Sequence, residues 1–344
     1  MTYIPHTAAD RAAMLAAIGV EALDDLFDAV PAEFRFPALD LPDPLSEMEV
    51  AWETGGLARA NVAADDYAIF LGAGAYHHFV PSVVDHILRR GEFFTAYTPY
   101  QPELSQGTLQ AIFEYQSMMC MLTGMDAANA SHYDGATSLA EAVTMANAHF
   151  RGKRSKVILS PGVHPQYRAV VRTYHQGGDL KFVGDKGRAT LPDLVDMLDK
   201  DTAMLVVQYP NFFGQIEDFS GLADAVHAAG ALLCMVADPL ALGLLKPPGA
   251  LGADIVVGEG QPLGIPLSFG GPYLGFFATR SEYVRKIAGR IVGGTVDQDG
   301  RRAYVMTLRP REQGIRREKA TSNICTNQGL MALAACVYMG VMGQ

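Results

Sequence analysis

Three polar residues stand just behind apolar, β-rich runs. His164 follows "KVILS" within "PGVHPQ", Asn211 follows "VVQYP", and Asp238 follows "ALLCMVA". Upstream, "SHYDGATSLAEAVTMA" reads as a loop feeding a helix. Asp134 and Gly135 supply the turn, and the small residues Gly135, Ala136 and Thr137 let backbone amides approach an anion. Downstream, "GEGQPLGIPLSFGGPYLG" (258–275) lies between the strand-like runs "ADIVV" and "GFFATR". A glycine-rich loop so placed brings backbone close to a ligand. Yet its one charge is Glu259, and it has no Lys, His, Cys or Asp. Each signal has a plain alternative. "DGATS" reads first as an ordinary helix cap, Asp238 before Pro239 equally as a turn former, and His164 before Pro165 first as a hydrogen-bonded loop histidine.

The elements that must position these residues follow from the pattern after about 156. "KVILS", "AMLVVQYP", "ALLCMVAD", "ADIVVG" and "YLGFFATR" read as strands, and "PQYRAVVRTYHQGG" and "SGLADAVHAAG" as helices between them. The strands are apolar without alternation, which predicts a buried, mostly parallel sheet in an α/β fold with helices on both faces. In such sheets ligands bind beyond the carboxyl ends of the strands, where His164, Asn211 and Asp238 stand. "SEYVRKIAGR" reads as a surface helix. Residues 1–60 read as a helical arm. Thr7 and Asp10 cap a first helix that Gly19 ends, "VEALDDLFDAV" forms a second, "FPALDLPDPLSE" is extended, and a third begins near Ser46.

The chain has 344 residues and a formal charge of 27 − 37 = −10, so general nucleic-acid or anionic-membrane binding is disfavoured. Cys120, Cys234, Cys325 and Cys336 form no CxxC pair and read as buried, reduced thiols. No secretory signal is visible, and a cytoplasmic location is expected. The apolar "GLMALAACVYMGVMG" falls short of the roughly 20 residues that span a bilayer and reads as a core helix. Arg301, Arg302, Arg309, Arg311, Arg316, Arg317 and Lys319 form a basic cluster, readable as a solvated face or as an interface.

The order of these signals resembles the aminotransferase-like fold of pyridoxal-phosphate enzymes (fold type I). In those enzymes a helix N-terminus holds the phosphate, a His or aromatic ring stacks on the pyridine, and an Asp pairs with its nitrogen. A lysine some two dozen residues after that Asp forms the Schiff base. Counting from Asp238 leads to Gln261. The lysines are at 153, 156, 181, 186, 200, 246, 286 and 319, and none occupies that position. An amide forms no imine, so covalent pyridoxal phosphate is not expected here. Gly135, Ala136, Thr137, His164, Asp238 and Gln261 make up a vestigial cofactor site.

A narrower resemblance runs through "YIPHT", "AIGVEALDDLFDAVP", "FFTAYTPYQPELSQGTLQAIFEYQ" (93–116), the 258–275 loop and "REQGIRREKATSNICTNQ" (311–328). These strings are similar to the P-protein of the glycine cleavage system, and most to the first of the two chains into which many prokaryotes divide it. The resemblance implies an α2β2 assembly with a second subunit that carries the lysine and the pyridoxal phosphate. Glycine is its substrate, and the lipoyl arm of H-protein receives the aminomethyl group. Tyr97, Tyr100, Ser105 and Gln106 are the candidates for supporting the partner's site; a packing role under a loop is the alternative. It also implies a large domain at 61–330 and the start of a C-terminal small domain at 331–344, most of which is expected to be missing from a fragment. A purely structural or regulatory subunit is the competing function, and a homodimer in isolation is compatible with both.

Overall fold

The computed structural model describes residues 5–64 and 66–343; the first residues of the arm, Asp65 and Gln344 lie outside the described residues. The chain divides into two compact units, Met1–Ala63 and Ala64–Gln344.

The smaller unit holds two α-helices, α1 (Ala8–Ile18) and α2 (Glu47–Arg59). Both begin with reciprocal side-chain caps, Thr7 with Asp10 and Ser46 with Glu49, which satisfy amides that a helix start leaves unpaired. Gly19, at φ +89°, ends α1 in the left-handed region that a side chain disfavours. The expected second helix is only a 3-10 turn, Asp24–Phe27. The Asp25 carboxylate accepts from the amides of Glu21 and Ala22, competing with helical bonding. No described side chain of this unit is buried, and Phe34, Leu39, Leu41 and Trp52 are exposed.

The larger unit opens with α3 (Ser82–Leu88), α4 (Gly91–Phe94) and the long α5 (Gln106–Thr123). The short β1 (Ala127–Ala128) leads to α6 (Gly135–His149), β2 (Lys156–Leu159) and α7 (Pro165–Tyr174). Then come β3 (Lys181–Val183), α8 (Leu191–Asp196), β4 (Thr202–Tyr209), α9 (Leu222–Ala228) and β5 (Leu232–Ala237). β6 (Ile255–Glu259) and β7 (Gly275–Thr279) flank the glycine-rich loop. β8 (Ile291–Val296), β9 (Arg302–Thr307), α10 (Gln313–Arg316) and α11 (Gly329–Met342) complete the described elements.

Seven strands form one sheet in the order β1-β7-β6-β5-β4-β2-β3. The run from β6 to β3 is parallel, and β7 pairs antiparallel with both β6 and β1. Side chains alternate between two cores, as the pleat requires. Leu205, Val207, Leu233 and Met235 pack on the side of α5 and α11, and Met204, Val206, Leu232 and Cys234 on the side of α6 and α7. This double burial explains the unbroken apolar runs. The 329–342 segment is the expected core helix; Ala332, Leu333 and Tyr338 are among its buried side chains.

Three expectations need correction. "SEYVRKIAGR" is no surface helix: it makes a 3-10 turn, Ser281–Tyr283, and buries Tyr283, Ile287 and Ala288. Cys325 is exposed, while Cys234 and Cys336 are buried as expected. The basic cluster is not uniformly solvated, because the Arg311 guanidinium turns inward onto the carbonyls of Ile287, Gly289 and Leu308. Among the described residues no helix is long and apolar enough to cross a membrane.

Candidate functional site

The parallel strands end together, and the residues behind them line one cavity of about 560 Å³. His164 follows β2, Asn211 follows β4, Asp238 follows β5, and Glu259 ends β6. Tyr76, Tyr167 and Phe212 add aromatic walls, and among the described residues no Lys or Arg lines the space. Strand-end placement, read from the sequence, thus brings His164, Asn211 and Asp238 together.

Their side chains are engaged within the chain. His164 Nδ1 accepts from the Gln166 amide at 3.1 Å, so Nε2 carries the proton and donates to the Ala73 carbonyl at 2.7 Å. Its ring stacks on Tyr167, with centroids 5.0 Å apart. Asn211 braces its own turn, accepting from the amides of Phe213 and Gln215 at 3.0 Å and donating to Glu217. Asp238 Oδ1 accepts from the Leu240 amide at 2.9 Å, the turn-forming contact.

Gln261 is 1% exposed, and its amide is fully used. Nε2 donates to the carbonyls of Tyr76 and Ile265 at 3.0 and 2.7 Å, while Oε1 accepts from the Tyr76 amide at 3.1 Å. It thereby ties the segment at Tyr76 to the loop after β6, as a strand pair would.

Sequence reasoning passed over Glu259. Its Oε2 accepts from the Gly135 amide at the start of α6 at 3.0 Å. Its Oε1 accepts from the amides of Gln261 at 2.9 Å and Leu274 at 3.0 Å. Burial pushes its pKa up to about 7, against these three donors, which favour the charged form. Thr137 donates its amide to Asp134 Oδ1 at 2.7 Å, an ordinary N-cap. A Cβ on Gly135 would strike the Tyr167 hydroxyl, so Gly135 and Tyr167 are in close contact. The one available signal was that Glu259 is the only charge in an otherwise uncharged loop. Two of the loop's glycines serve packing: a Cβ on Gly258 would meet Phe276 and the Ala237 carbonyl, and one on Gly275 the Asp134 carbonyl.

These residues do not fit a covalently held phosphorylated pyridine aldehyde. There is no amine at 261, no cation on the cavity wall, and a carboxylate already on the Gly135 amide.

The second candidate set lies elsewhere. Tyr97 lines a separate cavity of about 190 Å³ with Phe93, Thr98, Thr326 and Asn327, and its side chain is 89% exposed. The Tyr100 hydroxyl donates to Glu312 Oε2 at 3.0 Å and accepts from Arg290 at 3.2 Å. The Arg309 guanidinium lies over its ring, 4.5 Å from the centroid. Arg290 is buried and its Nε has no partner among the described residues. Ser105 stands at the N-cap of α5, its carbonyl accepting from the Leu109 amide. Gln106 bonds both the amide and the carbonyl of Tyr304 at 2.9 Å, so it braces β9. Of the four residues Tyr97 and Tyr100 are exposed, while Ser105 and Gln106 are partly buried.

The glycine cleavage system P-protein family model matches residues 1–344. The probable glycine dehydrogenase (decarboxylating) subunit 1 of Thermomicrobium roseum is 58% identical over 348 residues, which cover 100% of this chain and 78% of that protein. A crystal structure of glycine decarboxylase (P-protein) of the glycine cleavage system, in inhibitor-bound form, matches with a TM-score of 0.90 and 50% identity, covering 100% of this chain and 77% of that one. The apo cysteine desulfurase of Thermococcus onnurineus matches with a TM-score of 0.55 and 17% identity over 81% of this chain and 68% of its own, a likeness of fold alone.

Proposed function

The chain belongs to the glycine cleavage system P-protein family and is an enzyme component of that system, and from that premise we propose that it is the subunit without a cofactor of its own. Paired with a homologous second subunit in an α2β2 assembly, it supports that subunit's site, where the lysine and pyridoxal phosphate reside. Together they decarboxylate glycine and pass the aminomethyl group to the lipoyl arm of H-protein. The observation that carries this reading is Gln261, buried and hydrogen-bonded through every polar atom at the position where the fold's lysine is expected.

The surface offered to the partner is the one around Tyr97 and Tyr100. Arg290 and Arg309 stand beside the Tyr100 phenol with Glu312 as the one carboxylate described there, and the charge left over is suited to an anionic substrate or cofactor group that arrives with the partner. A purely structural subunit is the competing reading, and the inward bonds of Gln106 favour it locally. Glycine–bicarbonate exchange measured with each chain alone and with the two mixed separates them. We expect no exchange and no lysine-imine absorbance from this chain alone, and exchange from the mixture that exceeds subunit 2 alone. Exchange by subunit 2 that this chain leaves unchanged would favour the structural reading.

A further inference from the structure

The glycine-rich loop carries one charge, and that charge closes the start of α6. Three backbone N–H groups from three places in the chain, Gly135, Gln261 and Leu274, converge on the Glu259 carboxylate at 2.9–3.0 Å. Such a nest of amides at a helix N-terminus attracts an oxyanion, because the aligned peptide dipoles leave about half a positive charge there. In this chain the oxyanion comes from the protein itself. The Tyr167 hydroxyl packs close to Gly135, and Asp238 adds a second carboxylate to the same cavity. Among the described residues no Lys or Arg lines the wall to offset the repulsion an entering phosphate would meet.

We propose that Glu259 is a built-in anion: its carboxylate fills the amide nest at the start of α6 and closes this chain's own cavity to phosphorylated cofactors, leaving them to the partner subunit. The last clause rests on the proposed function; the filling of the nest does not. Glu259 acts as a specificity-determining residue through exclusion.

The test uses the purified full chain. Glu259→Ala removes the carboxylate and leaves three donors around a space the size of its side chain. Inorganic phosphate and acetate should then raise the Tm of the variant saturably, by about 2–4 °C, as ligands that bind only the folded state do. Chloride at matched ionic strength should not, and the wild type should respond to none of them. Fluorescence titration with pyridoxal phosphate should show noncovalent binding to Glu259→Ala at least about tenfold tighter than to the wild type. Equal responses in wild type and variant, or none in the variant, would overturn the proposal. If Glu259→Ala folds only when phosphate or acetate is present, that dependence supports it. If Glu259→Ala does not fold at all, Glu259→Gln decides: its neutral amide cannot accept from three donors, so a phosphate response is expected there, and its absence overturns the proposal. Exchange by the mixed subunits tests the functional reading separately. An inactive mixture alongside a phosphate-responsive variant keeps the inference and sinks that reading, and the reverse pairing does the opposite.

Discussion

Single side chains decide what this α/β frame can do. At 261 stands an amide, which forms no imine, and it serves as a clamp on Tyr76. Tyr97 and Tyr100 are the residues whose loss should be felt in the assembled enzyme. Replacing either with Phe removes a phenol that, on the proposed function, bonds to the partner's reacting groups; at about 1 kcal/mol for that bond, kcat of the mixed subunits should fall roughly five- to tenfold. KM should move less, because a bond made mainly in the transition state is lost. Unchanged kinetics with both variants would assign the tyrosines to packing. Glu141, on α6, supplies a pH signature. It is 3% exposed and its Oε2 has no partner among the described residues. Burial pushes its pKa up to about 7, against a bond from Ser322. The folded pKa lies above the unfolded one, so protonation favours the fold. That stability is fully present below about 4.5 and is lost as pH rises through about 7. Glu141→Gln should therefore be more stable than wild type at pH 8, by up to about 3 kcal/mol, with the difference shrinking toward pH 5. Denaturant curves at several pH values check this; a difference independent of pH refutes it.

Elements are joined by side chains that complete missing backbone bonds. The β8–β9 hairpin is a separate two-stranded sheet, and α5 holds it through Gln116. That buried amide donates to the Val292 carbonyl and accepts from the Val292 amide, both at 2.9 Å. Gln116→Ala leaves two buried backbone groups unpaired and should cost about 2–4 kcal/mol. Hydrogen exchange should locate the loss in Ile291–Val296, while β4 and β5 stay protected. Uniform loosening of both sheets would mean that α5 has another role. In the sequence the hairpin's one local mark is Asp299-Gly300, a turn signal set among the basic residues 301 and 302.

At the scale of the molecule, the smaller unit has no buried side chain among its described residues yet exposes Phe34, Leu39, Leu41 and Trp52. Exposed apolar residues in a unit without a core of its own call for another surface, and in this fold we expect a second chain to provide it. In isolation the chain should form a homodimer through the surface meant for subunit 2, and that dimer should lack exchange activity. Adding subunit 2 should convert it to an active mixed assembly. Light scattering that shows a stable monomer at micromolar concentration, with residues 1–60 resistant to protease, would contradict this account of the arm.

The amino-acid sequence by itself determined the strand–helix alternation, the parallel sheet implied by unbroken apolar runs, the caps at Thr7 and Ser46, and the positions of His164, Asn211 and Asp238 behind their strands. These are local properties, set by periodicity and by the residues flanking each element. That residue 261 is a glutamine and not a lysine was equally legible. Only the tertiary structure decided how the cavity is filled. Gly135 and Glu259 are 124 positions apart, and Tyr76 and Gln261 are 185 apart. Each pair meets because the sheet gathers strand ends in space, and hydrogen bonds across such separations leave no periodic trace. A carboxylate in a glycine-rich loop therefore read as inert, until the fold placed it on the end of a helix.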